Sequence, residues 1–551
     1  MAKRLTTFSK LLLTLLIVAV IFFFAQWGCN NTELGKNLKN KVENAEGNPG
    51  SSDSGTNTSN SSSQKTEGSK SGGLFGKKGD KRSSGSDDDV IKIGVVTWGG
   101  YAGGQYFNEG FKANTRSRFF KEYGFKVEFK VLDDFEASRN AFRADEVNLL
   151  WQTIDAFPTE VGGLSDFDPV ILWQADWSRG GDAIVARRGI TKVSDLKGKS
   201  IAVAELTPSH SFLLWLLEAG GLTTKDVKIV PQASAIDAAQ VFKSRQVDAA
   251  VVWSPDDILS IKEVPGSRIL ESTRSATNII ADVFMAKRSY VEANEEKLRK
   301  LYEGWMRGAA EINSNSSNRK KAAKILSQEF TDNGVALSVD EADEMIGNVR
   351  LTTHGDNQNF FGLNPNYKGM NGEKLYTSMG NKYKQLGFVE GKVPNWRLVT
   401  YPGLVRSTTN LTQSMHAAEK SKSYAAPTKA DEKKEAVATK EVSINFSTGQ
   451  YQLDENSKYI IDREFVDIAK AFGNMRIRIE GNTDNVGNYD LNVNLSKRRA
   501  QSVANYLINE HNFPKNRLII VGNGPDQPVA DNRTKAGQAK NRRTDFELIA
   551  G

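Results

Sequence analysis

Polar and apolar positions divide this chain into blocks before any single residue is considered. Lys3, Arg4 and Lys10 precede an uncharged run from Leu11 to Ala25, LLLTLLIVAVIFFFA. Such a run behind a basic flank predicts a membrane-meeting segment over residues 1–29, with the flank inside and everything after Cys29 exported. Extended through Gln26, Trp27 and Gly28 it reaches about 18 residues, the short end of a spanning helix, with Trp27 placed as an interfacial anchor. Gln26 and Trp27 make a poor signal-peptidase site, and they also stand where a lipobox has a leucine and a small residue before Cys29. An uncleaved inner-membrane anchor is the expectation, with a lipoprotein at Cys29 and a secreted form as alternatives.

Residues 30–89 show no apolar periodicity and include GSSDSGTNTSNSSSQKTEGSKSGG. This composition predicts a disordered Ser/Gly/Asn linker with a root-mean-square span of about 40 Å. From residue 90 the pattern changes to short β-rich runs (IKIGVVTW, KVEFKVL, VNLLWQT, DAIVAR, SIAVA, VKIVP, DAAVVW) alternating with amphipathic helical ones. That alternation predicts parallel strands covered by helices over residues 90–405. A second polar stretch, 406–440, predicts another linker. Residues 441–551 carry their own alternation: SINFS, a helix over 458–471, RIRIEGNTD, a helix over 495–511 capped by Ser496, RLIIVGNG and TDFELI. They predict a small α/β sandwich.

Composition removes several function classes. The chain has 551 residues, enough for several domains, with 39% hydrophobic and 25% charged residues. One cysteine excludes an internal disulfide, and four scattered histidines provide no local zinc-ligand spacing. A net charge of +7 arises from 73 basic and 66 acidic residues without a long basic block, so nucleic acid is not an expected partner. No HExxH, no GxSxG and no exported catalytic cysteine is present, and GGYAGGQYFNEGF after the first strand is not a GxGxxG fingerprint. An enzyme, a cofactor and a resident metal are therefore not expected.

Near the C-terminus, TDNVG, NVNLSKRRAQSVANYL and GNGPDQPVADNRTKAGQAKNRRTDFEL occur in order. These motifs resemble the OmpA-like peptidoglycan-binding family over about the last 110 residues. The resemblance implies that Asp484 and Arg499 clamp the zwitterionic end of diaminopimelate in the wall's stem peptide, a carboxylate taking the ammonium and a guanidinium taking the carboxylate. Asn492 and Arg543 are weaker carry-overs, the first as a shaper of the loop. Without the surrounding motifs, Asp484 would read as a turn cap and Arg499 as a solvated helix charge. Asn482 departs from the aromatic or histidine common at that place.

The larger block carries RGGDAIVAR, DLKGKSIAVAELTPSHSFLLWLLEAGGL, QVDAAVVWSPD and NIIADVFMAKRSYVEAN. It resembles the nitrate/sulfonate/taurine-type solute-binding proteins of ABC importers, the superfamily that includes thiamine-precursor binders. The resemblance implies a two-lobed type II periplasmic-binding-protein fold with the ligand between lobes. Candidate contacts are Trp98, Tyr101, Asp155, Gly181, Asp182, Ser209, His210, Ser211, Trp253 and Asp282. The tryptophans suit aromatic walls, though they equally suit a core. Free amides at Ser209 to Ser211, at the start of a helix, would favour an anionic group, and the aspartates a cation. Together they point to a small zwitterionic or sulfonate-like solute. The expected partners are peptidoglycan, that solute, the membrane through the N-terminal segment, and an ABC permease, all in a Gram-negative envelope. A structural tether or sensor whose solute domain serves as an interaction platform is the alternative. A stator-like role is disfavoured because the apolar run lacks an ionisable carboxylate.

Overall fold

The structure is a computed structural model that describes residues 90–550 apart from 445, 447 and 448. The expectations for residues 1–29 and 30–89, including the membrane segment and Cys29, lie outside the described residues. Among the described residues no helix is long and apolar enough to cross a membrane.

The first lobe opens with strands β1 (Val90–Val95), β2 (Lys126–Val131), β3 (Leu149–Thr153) and β4 (Pro169–Ser178). The chain then crosses through residues 179–181 into a second sheet of β5 (Asp182–Ala186), β6 (Ser200–Ala204), β7 (Lys228–Gln232), β8 (Ala249–Trp253) and β9 (Arg268–Ser272). It returns through residues 273–280 to β10 (Ala281–Lys287) and later β11 (Val349–Leu351). The sheet orders are β11-β4-β10-β3-β1-β2 and β7-β6-β8-β5-β9. β1, β2 and β3 are parallel, as are β6, β7 and β8, whereas β4, β10, β5 and β9 pair antiparallel. The all-parallel expectation fails at the strands that serve the crossovers, because a chain passing straight between lobes reverses without a covering helix.

Five helices matter for the site: α1 (Ala102–Asn108), α2 (Pro208–Ala219), α3 (Glu295–Ser314), α4 (Gly372–Gln385) and α5 (Tyr489–His511). α3 buries Leu298, Leu301, Tyr302, Trp305, Ala309 and Ile312, a stripe at helical spacing. Trp305 packs 4.7 Å from Phe284 and 5.5 Å from Trp173 between ring centroids, anchoring α3 to the first sheet. α4 joins the lobes: its Lys382 pairs with Glu218 of α2, and Tyr383 Oη lies 2.8 Å from Ser211 Oγ.

Residues 406–440, read from the sequence as a loose linker, are laid against the folded body instead. Leu411, His416 and Tyr424 are buried. Thr353 Oγ1 donates to the Ala417 carbonyl at 2.9 Å, and the Glu419 amide donates to Asp356 Oδ1 at 2.6 Å. Two or three apolar side chains and side-chain-to-backbone bonds hold a segment that has no periodicity of its own.

The C-terminal sheet contains β12 (Ala438–Val442), β13 (Arg476–Asn482), β14 (Leu518–Gly524) and β15 (Thr544–Ile549), in the order β12-β15-β13-β14. α5 covers it through Ala500, Val503, Ala504 and Leu507. This domain docks on the return crossover. The Asn278 amide donates to the Ala471 carbonyl at 3.0 Å and the Asn474 amide to the Ser275 carbonyl at 3.3 Å. Their side chains repeat the exchange, Asn278 Nδ2 to the Lys470 carbonyl at 3.0 Å and Asn474 Nδ2 to the Arg274 carbonyl at 2.8 Å.

Candidate functional site

The interlobe cleft is assembled at strand ends. β1 leads into Trp98, which is half-buried, and Tyr101 opens the turn before α1. β3 leads into Asp155, and β10 begins next to Asp282, whose register partners are Thr153 on β3 and Asp176 on β4. From the second lobe, Asp182 starts β5 directly opposite Trp253 at the end of β8. Strand termini facing a crossover are where open α/β sheets leave a crevice.

Four carboxylates therefore share one dry region. Asp155, Asp176, Asp182 and Asp282 are 0%, 0%, 3% and 5% exposed. Trp98 Nε1 donates to Asp176 Oδ2 at 3.0 Å, Tyr101 Oη to Asp282 Oδ2 at 2.7 Å, and Ser178 Oγ to Asp182 Oδ2 at 2.7 Å. Neither oxygen of Asp155 and not Oδ1 of Asp176 has a hydrogen-bonding partner among the described residues. Burial pushes the Asp155 carboxyl up to about 7, against the opposing effect of the nearby Ser211 hydroxyl, and burial likewise pushes Asp182 up to about 7. Asp176 and Asp282 are raised as well, by burial first and then by neighbouring carboxylates.

Gly181 has a steric role. A side chain there would meet the Trp98 ring, with Cζ3 at 2.7 Å from an added Cβ, so the bare backbone lets the indole lie against the outgoing crossover. Trp253 Nε1 donates to Ser209 Oγ at 3.0 Å. His210 is fully buried, accepts the Leu206 amide at Nδ1 (3.3 Å) and sits edge-on to Tyr383 and Phe388. Burial pushes its imidazole down to about 4, so it is neutral near pH 7.

The start of α2 corrects one expectation. Pro208 has no amide hydrogen. The Ser209 amide donates to Thr207 Oγ1, and the His210 and Ser211 amides both donate to the Thr207 carbonyl. No free amide is left there for an anion. Sequence reasoning also missed Asp176 and Tyr383. A carboxylate inside the ten-residue run PVILWQADWS, buried throughout, was the available signal for the first. Tyr383 lies beyond the segment whose motifs were readable.

In the C-terminal domain Asp484 and Arg499 are electrostatic neighbours. Asp484 Oδ1 accepts the Val486 amide at 3.1 Å, and Oδ2 accepts Arg542 Nη1 at 2.6 Å. Arg499 is 7% exposed, donates from Nε to the Gln450 carbonyl at 3.0 Å, and has its guanidinium 4.8 Å from the Phe446 ring centroid. Burial, then Arg542, lowers its pKa from the ordinary value, against the pull of Asp484. Asn492 Nδ2 donates to the Val486 carbonyl at 3.0 Å and so ties the loop carrying Asp484. Arg543 does not join this group. It pairs with Asp545 through Nε and Nη2 (2.9 and 2.8 Å) and donates to the Gln527 carbonyl. α5 starts earlier than expected, capped by Asn488 rather than Ser496, which places Arg499 about three turns inside it.

Comparison with known proteins finds two separate family matches along the chain. Residues 445–542 match the OmpA family, and residues 181–317 match the NMT1/THI5 like family. Outer membrane protein Omp38 of Acinetobacter baumannii is 45% identical over 104 residues, 18% of this chain and 29% of that protein. Peptidoglycan-binding protein ArfA of Mycobacterium tuberculosis is 39% identical over 88 residues, 16% of this chain and 27% of that protein. The chain thus spans under a third of the length of either relative. Among solved structures, the periplasmic aliphatic sulphonate binding protein SsuA from Escherichia coli aligns at 17% identity and a TM-score of 0.45, covering 58% of this chain and 99% of that one. The chain carries an NMT1/THI5-like domain followed by a C-terminal OmpA domain.

Proposed function

We propose that this is a cell-envelope solute-binding protein fastened to the wall. Its interlobe cleft captures a small organic solute. Its C-terminal domain holds the diaminopimelate end of a peptidoglycan stem peptide between Asp484 and Arg499. The N-terminal segment anchors the chain at the inner membrane, and an ABC permease is the partner that receives the solute. One observation carries the reading: Trp98, Tyr101, Asp155 and Asp282 from one lobe meet Asp182, Ser211 and Trp253 from the other around a buried polar centre. Buried carboxylates without partners cost stability, and a bound solute is what offsets that cost in a binding site. The wall-binding half is supported by a carboxylate and a guanidinium kept adjacent at a loop tied down by Asn492.

A thermal-shift and tryptophan-fluorescence screen of the full-length protein tests the first half. Sulfonates, nitrate, amino acids, amines and thiamine precursors make up the panel. A true ligand at 100 times its Kd adds about 2.7 kcal/mol of stability and raises Tm by several degrees. Because Trp98 and Trp253 flank the cleft, its emission should change too. No response across the panel would transfer the case to the tether or sensor reading, in which the lobes form an interaction platform.

A further inference from the structure

We infer that the cleft selects an organic cation bearing N–H groups, an alkylamine, diamine or guanidine, rather than a sulfonate or nitrate; this rests on the solute-capture reading above. The acceptors in surplus are both oxygens of Asp155 and Oδ1 of Asp176, all buried and unpartnered among the described residues. Asp155 faces the cluster, since Asp182 acts on it and it acts on Asp282. Thr153 Oγ1 on the first lobe and His210 Nε2 on the second are also buried without a partner among the described residues, but one is a hydroxyl and the other, with Nδ1 accepting the Leu206 amide in a neutral ring, is an N–H donor, so both offer a ligand neutral donors.

The cationic and backbone donors that would balance an anion's charge are already used. Arg179, which acts on Asp176, is turned to Glu419 at 2.7 Å; one step further out, Arg139, which acts on Tyr101, pairs with Glu160 at 2.6 Å, and Arg274, which acts on Asp257, donates to Asn348 at 2.9 Å. The α2 amides are held by Thr207. His210 is neutral. A sulfonate entering here would meet four carboxyl groups and no unpaired cation. An ammonium or guanidinium would meet open acceptors flanked by the two indoles, Trp98 and Trp253, a surrounding that favours cations by charge and by ring quadrupole.

The sign of the pH dependence separates the two ligand classes. The titratable and charged groups that face Asp155, Asp176, Asp182 and Asp282 are one another, Asp257, Arg179 and the phenols of Tyr101 and Tyr383, with Arg139 behind Tyr101 and Arg274 behind Asp257. Carboxyls raised above their ordinary value stabilise the empty protein at low pH, and that stability is lost as pH climbs through about 7. A cation binds their ionised form, so it must displace protons, and its affinity rises with pH. An anion binds the protonated form, takes protons up, and loses affinity with pH.

The test is titration calorimetry of the full-length protein in detergent with putrescine and with ethanesulfonate, at pH 6, 7 and 8, each in two buffers of different ionisation heat. Putrescine should bind with proton release, its affinity rising about tenfold per pH unit for each proton released below the carboxyl pKa. Choline, which lacks N–H groups, should bind at least ten times more weakly. Asp155→Asn should reduce putrescine affinity at least tenfold while its Tm stays at or above that of the parent, because a buried carboxyl is neutralised. Ethanesulfonate binding with proton uptake would overturn the cation assignment and leave solute capture standing. Unchanged putrescine affinity in Asp155→Asn would also overturn it. Failure of every solute in both experiments would overturn the inference together with the reading beneath it.

Discussion

Full-length protein carrying Asp484→Ala or Arg499→Ala is expected to lose at least 30-fold in affinity for purified diaminopimelate-type peptidoglycan, read as loss from the pellet in a sedimentation assay. The size follows from the geometry. Arg499 is 7% exposed, so removing one charged partner leaves the other poorly solvated, and truncating such a pair costs about 2–5 kcal/mol. Arg542 makes the expectation sharper. Its Nη1 sits 2.6 Å from Asp484 Oδ2, the place that a ligand ammonium would take. Arg542→Ala should therefore preserve or strengthen wall binding, opposite in sign to the neighbouring substitutions. Retention of binding in both alanine variants of the clamp would remove diaminopimelate recognition by this pair.

The second large effect is on stability, where α1 crosses α3. Gly103 and Gly104 face Trp305, Gly308 and Ala309 with the backbones nearly touching. A Cβ at Gly308 would run into the Gly103 carbonyl, and a Cβ at Gly104 would come within 2.6 Å of Trp305 Cδ2. Gly308→Val should destabilise by about 3 kcal/mol, the upper part of the usual cost of overpacking, because the obstacle is backbone and cannot rotate away. In calorimetry or circular dichroism this is a fall in Tm of about 4 °C for a body of this size. Gly162, with nothing within 4 Å of an added Cβ, is the matched control, and Gly162→Ala should change stability by less than about 0.5 kcal/mol. An unchanged Tm for Gly308→Val would mean that the helices separate freely at this crossing.

What the sequence made legible was local order, and what it hid was contact between distant segments. The strand-and-helix alternation and the C-terminal motifs identified both α/β parts. The start of α5 was misplaced because its first turns have no buried face: Leu491 is 70% exposed, and the apolar stripe begins only near Ala500, so periodicity started later than the backbone did. Arg543, carried over from the motif alone, is drawn away from Asp484 by strand alternation, since Arg543 and Asp545 are two apart at the entry to β15 and share a face. The contact of Trp98 with Gly181 depends on how the lobes close, whereas the use of the α2 amides by Thr207 is a local cap within residues 207–211. The 406–440 stretch shows the same limit, for Tyr424 finds its partner in the Gly473 carbonyl, 49 residues onward.

The docking of the C-terminal domain on residues 274–278 gives the molecule an unusual lever arm. In a two-lobed fold the crossovers are where rotation occurs, and here one of them is stitched on its outer side to the C-terminal domain, which the proposed function assigns to the wall. Opening and closing would then be geared to that stitch: a turn of the return crossover must either carry the C-terminal sheet with it or strain the Asn278 and Asn474 amides. Hydrogen exchange at those two amides would register an event in the cleft at the margin of the OmpA domain, so a solute's arrival would become a mechanical signal felt by the anchor.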